Sequence, residues 1–235
     1  MPESTDTYDF TVAGTPEIRV RNRAGALTIE RGATGQVAVR VTKRTHGRGF
    51  GQATETDLAG IVVTVTQQEN TIRIEAERND LAGLLKNYQV DIAVMTPAET
   101  NLDLRMNAGN VDLRDLTGVL ACTINAGNLD AARLTLTGSS SCAINAGNLS
   151  LEGAIAPGAA LAVEVNAGIL RLRLPRDTPA HLDARTDVGS IDIDGWPVSI
   201  SRRIVQQQAS GPLGAHPQGT LRLRVNTGSI SLRAI

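Results

Sequence analysis

The feature that most restricts this chain is a turn that it spells repeatedly. "MNAGNVDL" begins at Met106, "INAGNLDA" at Ile124, "INAGNLSL" at Ile144 and "VNAGILRL" at Val165. A catalytic centre needs its residues once, so a turn repeated along the chain points to architecture. With the Asn of each copy as anchor, Asn107, Asn125, Asn145 and Asn166 are followed by Asp187 in "DVGSIDI" and Asn226 in "NTGSISL", at spacings of 18, 20, 21, 21 and 39 residues. A weaker early copy is "RAGALTI", Arg23 to Ile29. Periods near 20 mark stacked units, one structural layer per repeat.

Aligning the copies sorts their residues into columns. Three before the anchor stand Leu104, Cys122, Cys142, Val163, Ala184 and Leu223; one before stand Met106, Ile124, Ile144, Val165, Thr186 and Val225. Four after stand Val111, Leu129, Leu149, Leu170, Ile191 and Ile230; six after stand Leu113, Ala131, Leu151, Leu172, Ile193 and Leu232. The column between these last two is Asp112, Asp130, Ser150, Arg171, Asp192 and Ser231. Apolar columns separated by a polar one describe two short strands flanking a turn, each alternating inward and outward.

Two all-β architectures fit. Each repeat could be a hairpin in an antiparallel sandwich, or one coil of a β-solenoid, a β-helix-like stack of about 20-residue layers. The solenoid accounts for more, because stacking like on like rewards the same residue in the same column and lets side-chain amides form ladders. It is the expected fold. The glycines Gly109, Gly127, Gly147, Gly168, Gly189 and Gly228 then supply positive φ where each coil turns. Asn107, Asn125, Asn145, Asn166, Asp187 and Asn226 cap the same corner and bond to the layers above and below.

The earlier part of the chain also reads as strand. "QVAVRV", "IVVTV", "TIRIEAE" and "QVDIAV" alternate at period two. "HGRGFGQ", His46 to Gln52, reads as a loop, and "NDLAGLLKNY", Asn79 to Tyr88, as room for one helical turn. Residues 1–7 are expected as a flexible N-terminus, 8–95 as a less regular β region, and 96–235 as regular coils of the same domain with an insertion at 195–219. Aromatics are 2% of the chain against 41% apolar residues, so the core must be aliphatic.

The order of these pieces resembles the bacterial putative-adhesin family of β-strand-repeat proteins: "YDFTVAGTPEIRVRNRAGALTIE", "QVAVRVTKR", "YQVDIAVMTP", then the "NAGNVDL" turns. The resemblance spans about residues 8 to 235. The family is a domain of unknown function, akin to the head domains of some autotransporter-like adhesins. It implies a β-helix-like fold, no catalytic residues and an association with the bacterial envelope.

Catalytic and ligand-binding chemistry finds little support. His46, His181 and His216 share no ligand spacing. Calcium-binding β-roll repeats use a nonapeptide period with an inward Asp, whereas Asp112 and Asp130 fall in an outward column. "TGSSSCAIN" reads as a polar corner loop with no His nearby. "GRGFG" and "GPLG" lack the strand–loop–helix setting of a nucleotide loop. A net charge of -1, from 23 basic and 24 acidic residues, offers no field for nucleic acid.

The expectation is therefore a non-enzymatic scaffold or adhesin-like interaction protein with no cofactor, whose partner is a protein or a glycan. The alternative is a carbohydrate-binding or carbohydrate-cleaving β-helix. With no signal peptide or spanning segment visible, a cytoplasmic chain without direct membrane insertion is expected. Cys122 and Cys142, adjacent in one column, are expected as free, buried thiols. The final unit runs to Ile235, so its end should be covered. The candidate covers are the segment Gly195 to Gly219 with Trp196, or a second copy docked at the coil end.

Overall fold

The structure is a computed structural model and describes residues 2–46, 58, 60–78, 87–203 and 205–235. The first strands are β1 (Glu3–Thr11), β2 (Glu17–Ala24), β3 (Leu27–Arg31), β4 (Gln36–His46), β5 (Ile61–Gln68), β6 (Thr71–Arg78) and β7 (Asn87–Thr96). The repeats supply β8 (Asn101–Ala108), β9 (Val111–Arg114), β10 (Thr117–Gly118), β11 (Leu120–Ala126), β12 (Leu129–Leu136), β13 (Ser139–Ala146), β14 (Leu149–Ile155), β15 (Ala160–Leu174) and β16 (Ala180–Asp194). The chain ends with β17 (Ser199–Arg202), β18 (Gln207–Pro212) and β19 (Gly219–Ala234). The fold is all-β: these strands form one sheet that curls until it is nearly closed, barrel-like.

Within the repeats, equivalent strands pair in parallel and in register. One ladder runs β6, β2, β8, β11, β13, β15, β19, β16. A second runs β7, β3, β9, β12, β14 and then the latter halves of β15, β19 and β16. Parallel partners cannot be joined by a tight hairpin, so the antiparallel-sandwich alternative does not describe these repeats. The columns read from the sequence are the burial columns. Leu104, Ile124, Val165 and Leu223 are at most 2% exposed, and so are Leu129, Leu149, Leu170 and Leu232. The inward side chains of both ladders meet in one aliphatic core.

The order of layers differs from the order of the chain. The sequence spacing suggests that the Asp187 unit follows the Asn166 unit, with Asn226 last. Instead β19 lies between β15 and β16, pairing Val165 with Val225 on one side and Thr186 with Val225 on the other. The last repeat is therefore interior. The 195–219 insertion covers β16: β18 pairs antiparallel with it and β17 with β18. Trp196 is buried beside this end and donates its indole N–H to the Arg176 carbonyl at 2.8 Å.

Regular stacking also begins earlier than residue 96. β2 and β3 pair in register with β8 and β9, and the layer β6–β7 stacks on their far side. Two antiparallel strands, β4 and then β1, extend the second ladder beyond β7. Residues 3–7, expected in a flexible N-terminus, thus form the start of β1, held by backbone pairing from Glu3↔Arg44 to Thr11↔Gln36. Of the expected loop His46 to Gln52, His46 closes β4 and the rest lies outside the described residues. The expected helical turn at Asn79 to Tyr88 lies outside them as far as residue 86; Asn87 and Tyr88 open β7.

Candidate functional site

The repeated corner is where the sequence concentrates its identity. Asn125 donates its Nδ2 amide to Asn107 Oδ1 at 3.0 Å, and Asn145 donates to Asn125 at 2.9 Å. Asn166 donates to Asn145 at 2.7 Å and Asn226 to Asn166 at 2.7 Å. Five exposed amides therefore form one unbroken ladder at the inter-strand spacing, roughly 4.8 Å. Asp187 stands outside it. Its carboxylate accepts from Arg185 Nε at 3.0 Å and Gln206 Nε2 at 3.1 Å, and these bonds hold it below its ordinary carboxylate pKa. The reason is chemical: in this ladder each further layer donates to the amide oxygen of the one before, and an ionised carboxylate has no proton to give.

A second ladder lies three residues on, and the column comparison did not single it out. Asn128 donates Nδ2 to Asn110 Oδ1 at 3.0 Å, and Asn148 donates to Asn128 at 3.1 Å. Each oxygen also takes the backbone N–H of the next layer, ending with Ile169 N to Asn148 Oδ1 at 3.1 Å. The fourth letter of "NAGN" was the available signal. Where it is Asn, the strand breaks at the corner; where it is Ile169, β15 runs through unbroken.

Between the two ladders stand the glycines. Gly109, Gly127, Gly147, Gly168, Gly189 and Gly228 all have φ between 135° and 151°, a region closed to other residues. Closeness adds to conformation. A Cβ on Gly147 would overlap the carbonyl oxygen of Gly127 in the adjacent layer, and the same clash recurs along the column.

The remaining candidates resolve as follows. Cys122 and Cys142 are register partners, buried, with free thiols. Burial pushes the Cys122 thiol up to about 12 and raises that of Cys142 as well, so neither is a ready nucleophile. "TGSSSC" is largely strand rather than corner loop: Ser140 takes an inward position in β13, tolerated because its hydroxyl accepts the Leu120 N–H at 3.1 Å. His181 Nε2 lies 3.3 Å from Ser210 Oγ, and His216 is exposed before β19. Among the described residues no group of three His, Cys, Asp or Glu is placed to share a metal. Nor do the described residues contain a helix long and apolar enough to cross a membrane.

The outward faces are charged in short pairs along single strands. Arg114 meets Asp112 at 2.7 Å, Arg185 meets Asp187 at 2.9 Å and Arg105 meets Asp103 at 3.7 Å. Residues two apart share a face of a strand, which is why the pairs form; being exposed, each contributes little to stability. Shallow grooves interrupt this surface, two of them of more than 300 Å³ among the described residues. One, of about 330 Å³, crosses Thr123, Ser141, Ala143 and Ala162 beside Glu164 and Arg224. The other, of about 440 Å³, lies over Thr28, Ala38 and Ala93, with Met95 and Glu30 at its rim.

No family model and no curated protein matches the chain. Solved structures do. A "putative cell adhesion protein" from Clostridium sporogenes aligns over 99% of this chain and 100% of its own, with a TM-score of 0.50 at 10% identity. A "putative adhesin" from Bacteroides fragilis aligns over 97% of both chains, with a TM-score of 0.47 at 16% identity. At such identities the likeness is one of fold, and only the first is close enough to argue from.

Proposed function

We propose that this chain is a non-enzymatic, adhesin-like scaffold whose parallel ladders are the coils of a β-solenoid. The observation that carries the reading is the continuous ladder of five asparagines over a glycine column. In it the repeated residues bond to their own copies in neighbouring layers. The sequence thus invests its recurring motif in a stiff, extended surface, and stiffness lowers the ordering cost of binding. The fold likeness to the clostridial cell adhesion protein supports the same reading, as does the family resemblance of the sequence, which brings envelope association with it. The ligand is a protein or glycan met on the outward faces.

The test immobilises the full chain and probes it with a glycan array and with a panel of purified surface and matrix proteins. Saturable binding that leaves the ligand chemically unchanged is the expected result. Release of new reducing ends from a bound polysaccharide would overturn it in favour of a carbohydrate-cleaving β-helix.

A further inference from the structure

The chain contains two cysteines, and the fold brings them together. They lie 20 residues apart in sequence, one repeat, so the same column of neighbouring layers receives both. In layer order that column reads Val20, Leu104, Cys122, Cys142, Val163, Leu223 and Ala184. Valine, leucine and alanine fill it elsewhere, so a place in this core does not by itself call for a thiol. Still less does it call for two thiols in adjacent layers of a chain that has no third.

The geometry of the pair suits a bond. β11 and β13 run parallel and in register on both sides of it, from Ala121↔Ser141 to Ile124↔Ile144. Register partners in adjacent strands have Cα atoms roughly 4.8 Å apart, inside the range of about 4.4–6.8 Å that a disulfide spans. Residues in register share a face of the sheet, and both side chains point into the core, 4% and 2% exposed. Each thiol therefore has the other as its neighbour in the next layer. The Cys142 thiol feels that neighbour: burial raises its pKa first, and Cys122 raises it further.

We propose that Cys122 and Cys142 form an oxidation site, at which exchange with a small disulfide such as glutathione disulfide closes a covalent link between β11 and β13 as the chain folds. One cysteine thiolate attacks the small disulfide, expels a glutathione thiolate and holds the other half as a mixed disulfide. The second cysteine thiolate attacks the protein sulfur of that mixed disulfide and expels the remaining glutathione. The two cysteines lose two protons and two electrons, and glutathione disulfide becomes two glutathione thiols. The timing follows from burial. Exchange needs a thiolate that the reagent can reach, and the folded core offers neither. A chain folded under reducing conditions keeps inert thiols, and one folded where small disulfides prevail carries the bond. The bond joins layers already tied by the Asn125–Asn145 and Asn128–Asn148 amides. This inference stands apart from the adhesin reading and does not need it.

The test unfolds the full, reduced chain in urea and refolds it in two glutathione buffers, one rich in the disulfide and one in the thiol. Intact mass and melting temperature are then measured on both products. The expected oxidised product is a monomer two hydrogens lighter than the reduced one, restored by dithiothreitol. With two cysteines in the chain, that loss needs no further assignment. It should melt about 5–10 °C higher, because the link closes a loop of one repeat in the unfolded chain. Refolding in the disulfide-rich buffer with both thiols still free, or with glutathione left attached, overturns the proposal, since the second sulfur is then out of reach. A disulfide-linked dimer, a linked monomer that melts no higher than the reduced chain, or a chain that refolds only in the thiol-rich buffer overturns it too. Each would mean that the native register does not accommodate the bond.

Discussion

Replacing Gly147 by alanine should damage this fold far more than a turn glycine ordinarily would. Its φ is 145°, and holding a side-chain-bearing residue in such a region costs on the order of 1–3 kcal/mol. The added methyl also overlaps the Gly127 carbonyl oxygen, with the Gly127 carbonyl carbon and nitrogen close behind. That carbonyl belongs to backbone fixed by the layer below, so it cannot rotate aside as a side chain could. Separating the layers would strain the Gly127 N–H to Ala146 bond at 3.0 Å and the Asn145–Asn125 rung at 2.9 Å. Overpacking of this kind adds roughly 1–3 kcal/mol, for a total of about 2–6 kcal/mol; Gly147→Val should be worse. Gly158 is the control. It has φ 76° and nothing within 4 Å of a built Cβ, so Gly158→Ala should cost only the left-handed conformation, about 1–2 kcal/mol. Urea titration of both variants gives the comparison. Equal midpoints would refute the argument that close stacking of layers, beyond φ alone, demands glycine at this corner.

Asn145→Ala removes two rungs and Asn107→Ala one; losses of about 1–2 kcal/mol and about half of that are expected for these exposed bonds, measured by thermal melting. Asp130→Ser, at an exposed position, should leave the melting temperature nearly unchanged. Cys122 and Cys142 should resist a thiol reagent in the native protein and react fully in denaturant, because both are buried and their thiols are raised by burial. Acid should weaken the corner contacts of Asp115 and Asp187. Hydrogen bonds from Arg133, and from Arg185 and Gln206, hold these carboxyls below their ordinary range. Their contribution is therefore present at neutral pH, where the unfolded carboxyls are also ionised, and is lost as pH falls below about 4 through the depressed values. Both groups are exposed, so the effect is small; a chain whose stability rose on acidification over that range would contradict the assignment.

Much of this molecule was legible without coordinates because its rules are local. Alternation at period two sends Leu104, Met106, Val111 and Leu113 to one side of the chain whatever the rest does, and the structure buries all four. Glycine at the corner follows equally from backbone sterics. The order of the layers is a different matter. Parallel, in-register stacking asks only that columns match, and the Asn226 repeat matches the Asn166 repeat better than the Asp187 repeat does, which brings Ala184 and the polar Thr186 into the apolar columns. Proximity along the chain favours Asp187. What decides is side-chain chemistry summed across neighbours. Asn166 Oδ1 needs a proton donor, which Asn226 has and the Asp187 carboxylate lacks. β16, carrying Asp187 and the buried Thr186 hydroxyl, is left outermost, where the β17–β18 hairpin can close over it. The repeat determined what each layer looks like and which residues face inward. Only the tertiary structure decided which layer sits on which, because that choice rests on contacts far apart in sequence, 60 residues for Asn166 and Asn226.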